Sequence, residues 1–81
     1  MKIEIITPDK KIFDGDIKSV RVPGKKGSFQ VLNDHAPIIS TLDTGPVIIV
    51  NQAGEETIIE ISGGVIEVNA NKIILLADSV R

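Results

Sequence analysis

The aliphatic residues of this chain are mostly β-branched: 15 isoleucines and 8 valines stand against 4 leucines and 4 alanines in 81 residues. A branched Cβ loses rotamer freedom on a helix and packs well on a pleated surface, so this imbalance drives the chain toward strands. Seven glycines and four prolines interrupt the apolar runs at short intervals, and no stretch sustains a helical period. The expectation is an all-β domain over residues 1–81, a small flattened β-sandwich or barrel of about eight to ten short strands with no substantial helix.

KIEIIT opens in period two, with Ile3 and Ile5 on one face and Lys2 and Glu4 on the other, until Pro8 closes it. KIFDGDIKSVRV reads as a short strand, a break at Asp14-Gly15 and a longer strand. Within the latter, Ile17 and Val20 are three apart and Val20 and Val22 two apart. Such a slip predicts a β-bulge, a kind of bend at which strands of small sandwiches change sheets. PGKKGS reads as a hairpin tip with its two lysines in water. SFQVL, IISTL, PVIIVN, EETIIEIS, VIEVN and KIILLAD are the remaining strands, with turns at DTGP, QAG and Ala70-Asn71. Ser62-Gly63-Gly64 marks a bulge, a sharp bend or a close backbone approach. VIIV and IILLA are apolar on both faces, so the second sheet covers one side and a partner protein is invited to the other.

Several function classes drop out. With no cysteine there is no disulfide framework, thiolate metal site or thiol nucleophile. The net charge is −2, the aromatics are two phenylalanines, and no basic stripe crosses the chain, which argues against nucleic acid as a partner. No apolar run approaches the roughly 18 residues of a membrane span, and MKIEIITPDKK lacks the apolar core of a signal peptide. The expectation is a soluble protein, intracellular or facing the cytosol, with no direct membrane insertion.

Chemistry finds little purchase. His35, the single histidine, has Asp34 beside it and Ser40 and Thr41 nearby, but neighbours on extended backbone point to opposite faces, and no glycine-flanked nucleophile elbow is present. One histidine with scattered carboxylates does not make a metal site; Asp14-Gly15-Asp16 reads as a turn, and Glu55-Glu56 as surface charge. GKKGS lacks the spacing of a phosphate-binding loop. Lys25-Lys26 raises an alternative, a free-standing binding domain or a biotinyl- or lipoyl-type carrier with a lysine at a hairpin tip, but the residues that commonly flank a modified lysine are missing. No enzyme and no cofactor are expected.

The pattern as a whole resembles the N-terminal β-sandwich domain of the epsilon subunit of F-type ATP synthases, called delta in mitochondria. The resemblance is carried by Ile12-Phe13-Asp14-Gly15, by Gly27-Ser28-Phe29-Gln30-Val31-Leu32 followed by His35-Ala36-Pro37-Ile38-Ile39-Ser40, by Thr44-Gly45, and by Ile61-Ser62-Gly63-Gly64-Val65-Ile66-Glu67-Val68 with Leu76-Ala77-Asp78. These blocks lie in family order across nearly the whole chain. Departures are Ser28 where the family has an acidic residue facing the rotor ring, Gln30 where it has a small glycine, and Asn33-Asp34 where it has Pro-Gly. Asn and Asp tolerate turn conformations, so the loop shape is expected to survive.

The resemblance implies a non-catalytic rotor subunit that docks on the gamma subunit and the rotor-ring c subunits, peripheral to the cytoplasmic face of the bacterial inner membrane. Family members usually continue into a C-terminal helical hairpin used for inhibition or ATP sensing; this sequence stops at Arg81, so those roles are not expected in these residues. The docking surface is expected on residues 28–42, with Ser28, Asn33, Asp34, His35, Pro37, Ile39, Thr41 and Leu42 as candidate contacts. Alternation along the strand requires one of Ile38 and Ile39 to face the core and leaves the other for a partner.

Overall fold

The computed structural model describes residues 1–81, and every regular element in it is a strand. The strands are β1 (Lys2–Ile6), β2 (Lys11–Val22), β3 (Phe29–Val31), β4 (Ile38–Leu42), β5 (Gly45–Asn51), β6 (Glu56–Ile61), β7 (Gly64–Asn69) and β8 (Lys72–Ala77). They run in the order β4-β7-β8-β1-β2-β5-β6, with β3 also paired to β2.

The break expected at Asp14-Gly15 is absent. Asp14, Gly15 and Asp16 pair with Glu4, Ile3 and Lys2 of β1, so the ladder takes up the backbone groups that a turn would have left free. Local turn preference yields to tertiary pairing, and β2 runs for 12 residues without interruption.

That length lets β2 serve two sheets. Its first half pairs with β1 and its second with β3 and β5. The changeover is the bulge read from the Ile17–Val20 spacing: the β2–β5 register slips between Ile17 and Ser19. The first sheet, β4-β7-β8-β1, closes on the parallel pairing of β1 with β8. Two isolated bridges, Gly24 to Leu42 and Ile61 to Val80, tie the sheets together at their corners.

Between the sheets lie fifteen buried apolar residues, among them Ile3, Ile5, Val20, Ile49, Ile66 and Leu75. They follow the alternation predicted for each strand. β7 alternates buried and exposed residues from end to end. The double glycine is a close approach: a Cβ on Gly64 would run into the Leu76 carbonyl oxygen and lie 3.0 Å from the Ala77 Cα. Glycine lets β7 enter the space between β4 and β8.

Candidate docking surface

Residues 28–42 are positioned by the β3–β4 loop and the edge strand β4. Asp34 adopts φ 63° at the third position of a turn closed by the His35 N–H donating to the Leu32 carbonyl at 3.2 Å, a place that asparagine and aspartate tolerate. The turn is held from outside. The Asp34 N–H donates to Asn71 Oδ1 at 2.7 Å, and Asn71 Nδ2 donates to Asp34 Oδ1 at 3.1 Å. Asn71 sits in the β7–β8 hairpin with Ala70, both at positive φ, the pattern of a type I′ turn.

His35 is half-buried, and its Nδ1 lies 2.7 Å from the Ala36 carbonyl oxygen. A carbonyl can only accept, so this nitrogen carries the proton. The Ser40 hydroxyl donates to the Thr41 carbonyl at 3.3 Å. Histidine and serine are thus each engaged with backbone, and no nucleophile–base pair forms. No group of three histidine, aspartate or glutamate side chains is arranged to hold a metal ion.

The β4–β7 register decides the two isoleucines. Ile38, Ser40 and Leu42 stand opposite Val68, Ile66 and Gly64, on the core side. Ile39 and Thr41 stand opposite Glu67 and Val65 and face outward, with Ile39 73% exposed. Ile38 is half-buried and packs on the core cluster. Leu42 is a correction to the expected surface. It is 1% exposed, because alternation puts it on the same side of β4 as Ile38, where it joins the core cluster. Ser28, Asn33, Asp34, Pro37, Ile39 and Thr41 are all exposed.

Sequence reasoning missed what shares the outer face with Ile39 and Thr41. Val65 pairs with Leu76 and Leu76 with Ile6, while Glu67 pairs with Ile74. The outer side of the sheet therefore presents Val65 and Leu76, 39% and 52% exposed, with the half-buried Ile6 and Ile74. The signal was present in IILLA, which is apolar on both faces, but placing its outer residues on the face shared by Ile39 and Thr41 needs the register of three strands. A second outward pair, Ile48 and Ile58, lies on the other sheet.

Beyond β4, the β2–β3 turn folds onto its edge. The Lys25 N–H donates to the Thr41 carbonyl at 3.1 Å, and the Asp43 N–H to the Pro23 carbonyl at 2.7 Å. Between turn and strand runs a shallow groove of about 600 Å³, lined by residues 24–27, Phe29 and residues 38–41.

Comparison with known proteins places this architecture. The family described as ATP synthase, delta/epsilon chain, beta-sandwich domain matches residues 1–81. The chain belongs to this delta/epsilon family. Relatives named ATP synthase epsilon chain include that of Sulfurovum sp., 42% identical over 96% of this chain and 61% of its own length. That of Salinibacter ruber is 41% identical over 100% and 60%, and that of Chlorobaculum tepidum 44% identical over 96% and 89%. The chain thus spans less than two thirds of the first two relatives and most of the third.

Among solved structures, a chain of the Euglena gracilis mitochondrial ATP synthase, in its OSCP/F1/c-ring part, superposes with TM-score 0.92 over 98% of this chain and 51% of its own length, at 18% identity. A chain of the Tetrahymena thermophila mitochondrial ATP synthase central stalk and c-ring gives 0.80 over 99% and 64%, at 20% identity. Both share the delta/epsilon fold. No helix here is long and apolar enough to cross a membrane. Family membership also separates the chain from carrier domains, although Lys25 and Lys26 are exposed at the β2–β3 turn as a carrier lysine would be.

Proposed function

We propose that this chain is a non-catalytic central-stalk subunit of an F-type ATP synthase, docking on the gamma subunit and the c subunits of the rotor ring and so coupling ion-driven rotation to ATP synthesis. In this role it is peripheral to the cytoplasmic face of a bacterial inner membrane. The docking surface comprises Ser28, the loop residues Asn33, Asp34, His35 and Pro37, and the outward side chains of Ile39 and Thr41.

The observation that carries the reading is Ile39. A large aliphatic side chain 73% in water, on the same outer face as the exposed Val65 and Leu76, is costly for a monomer and useful at an interface. An interface of standard size covers roughly 800 Å² on each partner, and Ile39 with its neighbours supplies an apolar centre for one. The shape of the loop supports the same reading, because the Asp34–Asn71 exchange presents it in one conformation and so reduces the ordering cost of association.

The test is co-purification. The chain, expressed with the gamma subunit of its own synthase, is expected to elute with it as a stoichiometric complex and to bind purified rotor ring when gamma is present. Elution of each component alone at micromolar concentration sinks the proposal.

A further inference from the structure

The groove between the β2–β3 turn and β4 has a chemistry that the rest of the surface lacks. Lys25 and Lys26 are exposed on its rim, and the ion pairs of the molecule, made by the N-terminus and Lys11, include neither. No acidic residue lines the groove. Of the two nearby carboxylates, Asp43 Oδ1 accepts from the Thr44 N–H, and Glu67 stands opposite Ile39 on β7, across β4 from its free edge. In a chain of net charge −2, this is a local, uncompensated positive rim.

The floor is apolar, formed by Phe29, Ile38 and Ile39. Its wall is an open strand edge. Thr41 accepts from Lys25 and Asp43 donates to Pro23, so these two residues turn their backbone groups away from β7. The pleat places the N–H and C=O of Ile39, two residues before Thr41, on the same edge, past the point where the β2–β3 turn stops covering it. Exposed edges of this kind accept an added strand.

We propose that this groove takes an extended, acidic segment of a partner protein, which pairs its backbone with Ile39 along the edge of β4, sets carboxylates against Lys25 and Lys26, and lays apolar side chains on Phe29 and Ile38. Charge complementarity selects the partner: an acidic strand gains from both lysines, and a basic one is repelled. The proposal rests on the docking role above and adds the chemistry of one segment that docks.

The test uses isotope-labelled protein and three probes: an acetylated Val-Asp-Val-Glu-Val peptide, the same peptide with lysine at both acidic positions, and vesicles containing phosphatidylglycerol. The acidic peptide is expected to shift the amides of residues 25–29 and 38–41, with an affinity that falls as salt rises. Lys25→Glu with Lys26→Glu is expected to weaken it about tenfold, as reversal of two exposed charges allows. Four outcomes overturn the proposal: no shifts at millimolar peptide, equal binding of the lysine peptide, shifts mapping outside the groove, or equal shifts with vesicles. Gamma capture by the same protein preparation separates this idea from the docking role. Capture without peptide binding removes the groove proposal alone, and peptide binding without capture removes the docking role alone.

Discussion

Asp34 and Asn71, 37 residues apart, exchange two hydrogen bonds that fasten the β3–β4 loop to the β7–β8 hairpin. The pair couples the loop bearing His35 and Pro37 to a rigid strand turn. Because Asn71 also sits at φ 61°, Asn71→Gly is the clean deletion: it keeps the backbone and removes the amide. Loss of about 1 kcal/mol is expected. In a double-mutant cycle with Asp34→Gly, which suits φ 63°, the coupling reads the Asn71 Nδ2–Asp34 Oδ1 bond alone, because the other bond is donated by the Asp34 backbone N–H and survives loss of its side chain. Urea denaturation measures this, and full additivity of the two losses would show that this side-chain bond contributes nothing.

Ala70 holds φ 51°, a conformation that strains any residue with an ordinary Cβ. A type I′ turn favours Asn-Gly, and here the turn has Ala-Asn. Ala70→Asn is therefore expected to stabilise by about 0.5–1 kcal/mol, since asparagine tolerates the left-handed region and does not add glycine's unfolded-state entropy. A thermal scan checks it; an unchanged or lower Tm contradicts the assigned strain.

Gly64→Ala should be far more damaging than Gly54→Ala. Both glycines have positive φ, but nothing lies within 4 Å of a Cβ at Gly54, whereas one at Gly64 meets the backbone of Leu76 and Ala77. Backbone cannot swing aside as a flexible side chain can, so β7 must separate from β8. The loss is expected to exceed about 2 kcal/mol, against about 1 kcal/mol or less at Gly54. Equal losses in parallel denaturation curves would rule out the close approach as the cause.

Much of this was legible in the residues because strands report their buried face by alternation. Ile3 and Ile5, Ile66 and Val68, and the Ile17–Val20 slip all needed only local spacing. Asp14-Gly15 misled because its turn preference is local, while its pairing partner in β1 arrives from elsewhere. Leu42 was within reach of the same rule: three residues from Ile39, it falls by alternation on the opposite, inward face. On the proposed docking surface, the loop and the outward position of one isoleucine could be anticipated. The row that Val65 and Leu76 form with Thr41 could not, since it is fixed by registers between strands far apart in the chain.

Lys11 bridges two carboxylates across a strand pair, its Nζ 2.9 Å from Glu4 and 3.3 Å from Asp14. The hydrogen bond to Glu4, then that to Asp14, raises its pKa above the ordinary 10.5. A base whose pKa is raised on folding stabilises the fold fully below its unfolded value and loses that contribution as pH rises through the folded one. Lys11→Met should therefore lower Tm by at most a few degrees at neutral pH, with the deficit shrinking above pH 10.5 as the wild-type ammonium is neutralised. Salt should shrink it too, because the pair is exposed. A deficit unchanged in alkali would assign the effect to packing of the lysine stem.

Ile38 and Ile39 offer the sharpest test of the docking surface, because neighbours on one strand serve opposite faces. Ile38 packs on the core, so Ile38→Asp buries a carboxylate beside Val68 and should cost several kcal/mol, on the order of 3. Ile39 is mostly in water, so Ile39→Asp should leave the unfolding midpoint nearly unchanged, within about 0.5 kcal/mol. Its effect should appear in binding: an aspartate introduced at the apolar centre of an interface must lose its water, and affinity for gamma should fall at least about tenfold. Calorimetry on the folded Ile39→Asp protein reads this directly. Unchanged affinity for gamma would move the interface off β4, whereas a large fall in stability would mean that Ile39 is packed by its own chain and is not free to meet a partner.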